Sequence, residues 1–393
     1  MRCHTFPFMA LLILLSACNQ GLQTESDSKH EPRTIILSLC QPEGDVFTKS
    51  SYDFENKTFL WAAGDAVGIV SPQGGQLKFT IRPEDYGQVH ANFDGRGFEL
   101  SSGNTYAGYS PFLPDFDLEP ISVPVNYADQ MQTGDNSTAH LGLKSFIVAQ
   151  ATAPDAGSLN FQFRNVGSPH RYRLPVLPGS YSQLTIQIPA SSYTLSGTLN
   201  LLANDEATLR AITPTVTTDR LTLNMSNTSI AETGLISCWM MVAPVNLVGS
   251  VITMILENSN GQEYIASLAG RDCPANNRRF FDAKSSVFPR VTEITAEGGN
   301  VQIKVIKSAN DVEVTPSIGA GWITAAGSST DGLVTTYTYT VAENEASVAR
   351  EGTISFTETS TSLTNTVSIQ QAKAGTIIGI GSWDNDNHSG NAQ

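Results

Sequence analysis

The sequence predicts an all-β protein built of tandem β-sandwich domains. Apolar and polar residues alternate with a period of two in short segments rich in β-branched and aromatic side chains, at residues 34–39, 76–81, 159–163, 184–188 and 301–305. Clusters of Gly, Pro, Asn and Asp separate these segments at short intervals, a spacing typical of sandwiches. Helical periodicity is confined to residues 141–152 and 199–209, where we expect short helices at most.

The composition excludes several classes of protein. The chain has 393 residues, with 37 acidic and 23 basic side chains and a formal net charge of −14. Nonspecific nucleic-acid affinity comes mainly from Lys and Arg, so we expect no nucleic-acid partner. The hydrophobic fraction is 40% and only 15% of residues are charged, which favours a folded chain over a disordered one. Its length predicts about two or three domains.

The N-terminus reads as a signal peptide of residues 1–17. Arg2 supplies a short basic region at its start, and residues 6–15 form an apolar stretch shorter than the roughly 20 residues needed to span a bilayer. Residues 15–18 (LSAC) resemble the lipobox of bacterial lipoproteins, which implies acylation of Cys18 and an outer-membrane anchor, since Asn19 rather than Asp follows. The alternative is an ordinary secretory signal with an incidental Cys. Residues 18–32 are polar and without periodicity, so we expect a flexible tether.

Charge divides the mature chain into three parts. Residues 18–149 carry 17 acidic and 8 basic side chains, residues 150–290 carry 9 and 10, and residues 291–393 carry 11 and 4. These changes in charge predict three modules. With the two resemblances described next, we place their boundaries at residues 33–150, 151–290 and 293–372, followed by a tail at 373–393.

Four segments resemble, in the expected order, those of fimbrillin-family proteins, the lipoprotein pilus subunits and tip proteins of Bacteroidetes. They are residues 59–70 (FLWAAGDAVGIV), 106–111 (YAGYSP), 146–151 (FIVAQA) and 161–166 (FQFRNV). The resemblance implies two fimbrillin-like β-sandwich domains in tandem. It also implies a cell-surface adhesion protein, acting as a subunit or tip component of a pilus.

In that family, the resemblance implies that a protease cuts after an Arg near the first strand. The released N-terminus opens a groove that a neighbouring subunit fills with a donated strand, so other pilus subunits are expected partners. Arg33, directly before the segment at residues 34–39, is the candidate processing point. The alternative is that Arg33 only ends the tether and the protein stays anchored.

The third module resembles the Bacteroidetes-associated carbohydrate-binding domain known as BACON. The matching residues are Trp322 and Ile323, 344–354 (NEASVAREGTI) and 367–371 (VSIQQ). An immunoglobulin-like sandwich of roughly 80 residues is implied. The resemblance also implies a glycan or host-surface ligand, with Trp322, Tyr337 and Tyr339 as candidate contacts.

The period of a strand places Tyr337 and Tyr339 on one face, which is either a glycan platform or core. The alternative function is therefore a surface glycan-binding lipoprotein of a polysaccharide-uptake system. A purely structural stalk is a third possibility. In each case we expect the outer membrane and cell surface as the location, or a fimbrium if the protein polymerises.

Catalytic and metal-binding patterns are not evident. No nucleophile-elbow motif marks a triad, and no His pair has zinc spacing. Asp65, after Gly64, suits a turn better than a catalytic role. Cys40, Cys238 and Cys273 allow one disulfide at most, without indicating which. We expect no enzyme activity, no cofactor and no metal.

Overall fold

The chain folds almost entirely into β-strands, which confirms the predicted all-β fold of sandwich domains. The computed structural model describes residues 33–38, 51–53, 58–72, 75–95, 100–114, 122–155, 158–190, 192–202 and 205–375. These residues belong to one compact unit, Pro32–Gln393. The predicted signal peptide, the tether with Cys18, Cys40, and tail residues 376–393 lie outside the described residues.

Before residue 166, the described residues form twelve strands and two 3₁₀ helices. The helices are Pro83–Asp85 and Ala139–Lys144. The strands are β1 (Arg33–Ser38), β2 (Ser51–Asp53), β3 (Thr58–Leu60), β4 (Ala66–Val70), β5 (Gln76–Ile81), β6 (Ala91–Gly95), β7 (Thr105–Ser110), β8 (Ser122–Asn126), β9 (Gln130–Thr133), β10 (Ile147–Thr152), β11 (Asn160–Gln162) and β12 (Arg164–Asn165).

Eight of these strands form the first sheet, in the order β11-β1-β6-β5-β4-β7-β10-β12. Its two end strands are consecutive in the chain and are separated only by Phe163. The segment pairs with β1 in parallel at one end and with β10 at the other, so the sheet closes on itself. Its core contains Trp61, which meets Phe93 edge to face at 4.8 Å between ring centroids.

The second sandwich follows, with one short α-helix, Glu206–Leu209. Its strands are β13 (Ser168–Val176), β14 (Gly179–Gln187), β15 (Tyr193–Asn200), β16 (Ile212–Thr218), β17 (Arg220–Ile230), β18 (Gly234–Val242), β19 (Val245–Asn246), β20 (Val251–Asn258), β21 (Glu263–Ala269), β22 (Asp272–Cys273), β23 (Arg279–Asp282) and β24 (Ser285–Phe288). Strands β18-β13-β23 form one layer, and β21, β20, β14 and β17 belong to the layer opposite. The alternating apolar side chains of both layers, from Tyr172 to Leu268, meet between them.

Strands from the first 150 residues also pair with this second set. β8 pairs with β15, and β9 pairs in parallel with β17. A hydrophobic cluster contains Val70, Tyr109 and Val148 together with Trp239 and Met241. Side chains from both sides of residue 150 therefore share one core. The boundary that we placed there stays a prediction.

The third sandwich contains β25 (Val291–Ile294), β26 (Gly299–Lys307), β27 (Val314–Ile318), β28 (Ile323–Asp331), β29 (Val334–Val341), β30 (Arg350–Glu358) and β31 (Thr364–Gln371). One layer has the order β25-β31-β30-β27. The other is continuous with the second sandwich in a nine-stranded sheet, β28-β29-β26-β24-β21-β20-β14-β17-β9. Strand β24 joins the two parts because it pairs with β21 on one side and β26 on the other.

The helical expectation was partly wrong. Residues 199–209 contain the helix Glu206–Leu209, but Leu199 belongs to β15, and residues 147–152 form β10 after a 3₁₀ helix. Leu199, Leu201 and Leu209 all enter the same core. Their spacing thus reflects one shared core rather than one helix.

Candidate functional site

The candidate processing residue, Arg33, is the first residue of β1. Its backbone pairs with Gly95 of β6. On its other edge, β1 pairs with β11 over Ile36 to Ser38. Backbone hydrogen bonds therefore hold the segment after Arg33 on both edges.

The third sandwich is open along one side, where the edge strands β27 and β28 face each other. A cavity of about 400 Å³ lies between these two edges. It is lined by Pro316, Ser317 and Ile318 of β27, by Ala325, Gly327 and Ser328 of β28, and by Tyr337 and Tyr339 of β29. None of these side chains is charged, which suits an uncharged occupant.

The two tyrosines form the aromatic part of this lining. Tyr337 is half-buried and its ring lies 5.3 Å from that of Phe356. Tyr339 is only 2% exposed, and its buried hydroxyl has no hydrogen-bond partner. Burial raises the pKa of Tyr339 to about 12, so this hydroxyl stays protonated and able to donate. An unpaired buried hydroxyl is costly to the fold.

Trp322, the third predicted contact residue, does not line this cavity. Its ring lies under the guanidinium of Arg350, 4.3 Å from the ring centroid. Arg350 is fixed by hydrogen bonds to the carbonyls of Ala342 (2.8 Å) and Glu343 (2.9 Å). A Cβ at Gly352 would lie 2.7 Å from the Trp322 ring, so the glycine allows this packing. The structure therefore brings Tyr337 and Tyr339 together and leaves Trp322 apart.

Two buried glutamines form hydrogen bonds with the backbone groups along the outer edge of β18. The sequence pattern does not predict this role, because it assigns polar residues to the exposed face of a strand. The side-chain amide of Gln132 donates to Ser237 O (2.9 Å) and accepts from Trp239 N (2.8 Å). Gln130 makes the same pair of bonds with Met241 O (2.8 Å) and Met241 N (2.7 Å). Each glutamine thus acts as one residue of an added strand. We call these two residues the glutamine clamp.

A buried carboxylate joins the second and third sandwiches. Glu358 is 1% exposed, and its two carboxylate oxygens accept hydrogen bonds from the hydroxyls of Ser285 and Thr361, each at 2.7 Å. Nearby, Arg290 binds Glu263 at 2.5 Å. Hydrogen bonding of this kind is what makes a buried carboxylate tolerable.

Other chemistry is limited in the part of the chain that the structure describes. Cys238 and Cys273 are buried, free thiols, so the disulfide that the sequence left open does not join them. Across the described ranges, no group of three or more His, Cys, Asp or Glu side chains is arranged to hold a metal ion. Likewise, no helix among the described residues has the length and apolar character needed to cross a membrane.

No protein-family model matches the sequence, and no curated protein sequence matches it. Among solved structures, the chain is similar to a protein of Bacteroides fragilis provisionally described as a cell adhesion protein. The identity is 10%, the TM-score is 0.33, and the match covers 64% of this chain and 92% of the other. A second such protein, from Bacteroides eggerthii, is 8% identical with a TM-score of 0.30, covering 88% of this chain and all of its own (100%). Likeness of this size carries no inference about what the chain binds.

Proposed function

We propose that the protein is a cell-surface adhesion protein, anchored in the outer membrane by lipid on Cys18 and acting as a subunit or tip component of a fimbrillin-type pilus. We propose further that it binds without catalysis and needs no cofactor. The lipobox-like residues 15–18 and the four fimbrillin-like segments support this role at the level of sequence.

The observation that carries the proposal is the firm coupling between successive sandwiches. The first two share a hydrophobic core that includes Tyr109 and Trp239. The second and third share a continuous sheet through β24, reinforced by the buried bond between Ser285 and Glu358. Only Pro289 and Arg290 separate β24 from β25, and the backbone N–H of Arg290 donates to Glu263 O at 2.8 Å. Such coupling suits a protein that must transmit tension from a ligand to its anchor.

Strand donation between copies is the proposed mode of assembly. A cut after Arg33 would release the anchored segment, whereas residues 34–38 would keep their pairing with β6 and β11. Processing at this position would therefore separate the protein from its lipid without removing β1, so the groove that the family resemblance implies would not arise from the loss of this strand.

The test combines mass spectrometry of the cell-surface protein with immunogold microscopy. We expect acylated Cys18 in the anchored form and gold label along filaments or at their tips. A species beginning at Thr34 would establish processing after Arg33. A diffuse surface label with no filaments would contradict the pilus assignment, and a Cys18 without acyl groups would contradict the anchor.

A further inference from the structure

The outer face of the layer β18-β13-β23 carries arginines beside an aromatic ring. Strands β13 and β23 pair in parallel, with Arg171 opposite Phe280. Two residues further along, Arg173 lies opposite Asp282. Because side chains alternate along a strand, these four residues point away from the core that contains Tyr172. The side chain of Arg171 is 17% exposed and that of Arg173 is 31% exposed, so a ligand in solvent can reach this face.

Arg171 is held in place by aromatic rings, but few of its hydrogen-bond donors are used. Its guanidinium carbon lies 4.3 Å from the ring centroid of Phe280 and 6.0 Å from that of Trp239. A guanidinium has five N–H donors, yet among the described residues Arg171 makes one hydrogen bond, to Asp282 Oδ1 at 3.4 Å. Its Nε is buried and has no partner there. Arg171 therefore has donors left for an acceptor that the described residues do not supply.

The charge around Arg171 is not balanced either. Asp282 mainly serves Arg173, whose Nε donates to Oδ1 at 2.7 Å and whose Nη2 donates to Oδ2 at 2.9 Å. Arg278 adds another guanidinium, 4.6 Å from the centroid of the Phe280 ring. Burial, and next the charge of Arg173, lower the pKa of Arg171, and the opposite effect of Asp282 offsets this only in part. We call Arg171, Arg173, Arg278, Phe280 and Asp282 the arginine face, where three cations meet one carboxylate.

We propose that the arginine face binds the carboxylate of an acidic sugar at the end of an otherwise uncharged glycan. A planar carboxylate matches the fork of a guanidinium, and the bond between Arg173 and Asp282 already has this two-pronged form. Beside Phe280, the carboxylate of the ligand would accept hydrogen bonds from Arg171 and Arg278. This inference rests on the proposed role in adhesion and names the chemistry of the ligand.

The charge and surface of the chain favour such a ligand over a polyanion or a protein. The net charge of −14 repels a polymer with many negative groups, whereas one carboxylate matches the local excess of positive charge. The centre of a protein–protein interface is usually apolar or aromatic. Among the described residues, none of the large, exposed apolar side chains lies on β13 or β23. The arginine face therefore suits a small acidic group better than a protein partner.

Isothermal titration calorimetry with the full chain tests this inference. The probe 3′-sialyllactose carries one carboxylate on an acidic sugar at its end, and lactose is the same compound without that sugar. We expect 3′-sialyllactose to bind and lactose not to bind. Arg171→Gln should weaken binding by about tenfold or more, the usual effect of losing hydrogen bonds to a charged group.

Arg220→Gln is the matched control for charge. It removes the same charge from β17 in the opposite layer, where the Arg220 side chain is 60% exposed, and should leave binding unchanged. Equal effects of the Arg171 and Arg220 substitutions, or no binding of 3′-sialyllactose to the wild type, would overturn the inference.

Arg171→Lys keeps the positive charge but loses the planar fork, so it tests the geometry even if Arg171→Gln does not fold. We expect weaker binding of 3′-sialyllactose with a urea unfolding curve close to that of the wild type. Wild-type affinity in this variant would overturn the two-pronged contact. Equal binding of lactose 3′-sulfate, or of polyglutamate, would assign the arginine face to other anions and overturn the acidic sugar. If gold label follows filaments on cells but 3′-sialyllactose does not bind, the ligand assignment fails while the proposed function stands.

Discussion

Replacing Gln132 with Leu should destabilise the protein by about 2 to 4 kcal/mol. The substitution keeps a side chain of similar size but removes the partners of Trp239 N–H and Ser237 C=O. Gln132 is fully buried (0% exposed), so water does not replace them. Each unsatisfied buried group costs about 1–3 kcal/mol, and the added apolar surface of Leu offsets a small part.

The measurement is urea unfolding followed by tryptophan fluorescence, with circular dichroism as a second probe of the same transition. Gln183→Leu is the matched control, because its amide donates only to the side chain of Asn224 (3.1 Å) on the solvent side of β14. We expect the control to change the free energy of unfolding by less than about 0.5 kcal/mol. Equal effects of the two substitutions would refute the glutamine clamp as a stabilising device.

Gln132→Glu separates the loss of hydrogen bonds from the loss of shape. When protonated, this carboxyl can donate to Ser237 O and accept from Trp239 N, as the amide does. When ionised, it faces carbonyl oxygens in a buried site, so its pKa is raised in the folded protein. Stability relative to wild type should therefore be retained at low pH and lost as the pH rises. A pH-independent difference from wild type would contradict this explanation.

Three further outcomes follow from buried residues. Burial, and next the charge of Arg279, lower the pKa of His170 to about 3. Below the ordinary histidine pKa of 6.5, the unfolded chain therefore binds a proton at His170 that the folded chain does not bind. The free energy of unfolding should therefore decrease as the pH is lowered from 6.5 towards 3, by at most about 1.4 kcal/mol per pH unit. His170→Gln should reduce this decrease in acid unfolding curves. Trp61→Ala should cost about 3–5 kcal/mol in urea unfolding, because the indole is fully buried. Cys238 and Cys273 should resist maleimide in the native protein and react in urea, as mass spectrometry of their peptides can establish.

Local structure was predictable where alternation and turn chemistry agree. The pattern at residues 76–81 coincides with β5, and that at 301–305 lies within β26. Gly64 adopts φ +87° and the Asp65 carboxylate accepts from Ala62 N at 2.9 Å, the turn that this pair of residue types predicts. These features depend only on neighbours in the sequence.

Pairing between distant segments was not predictable from the same signals. β8 and β9 precede residue 150, yet they pair with β15 and β17. The change in charge near residue 150 reflects only the composition of the two segments, and composition does not specify which strands pair with each other. Around Met131 the binary pattern is even inverted, because Met131 is 55% exposed while Gln130 and Gln132 are buried. An alternating strand predicts a buried apolar face, but here the buried partner is a backbone edge, which needs a side chain that can both donate and accept a hydrogen bond, as an amide does.

The need to satisfy or block strand edges connects these observations. A fold with this many sheets exposes many edges, and each open edge invites pairing with another molecule. In the described residues this chain meets that need with a closed first sheet, with two glutamines of β9 that bind the edge of β18, and with one proline on each of the edge strands β8, β16 and β27 (Pro124, Pro214 and Pro316). The edge of β28 has no proline, but the register of its pairing with β29 shifts between Ala325 and Gly327. A bulge of this kind twists an edge strand and makes it a poorer template for pairing, so β28 meets the same need by backbone geometry.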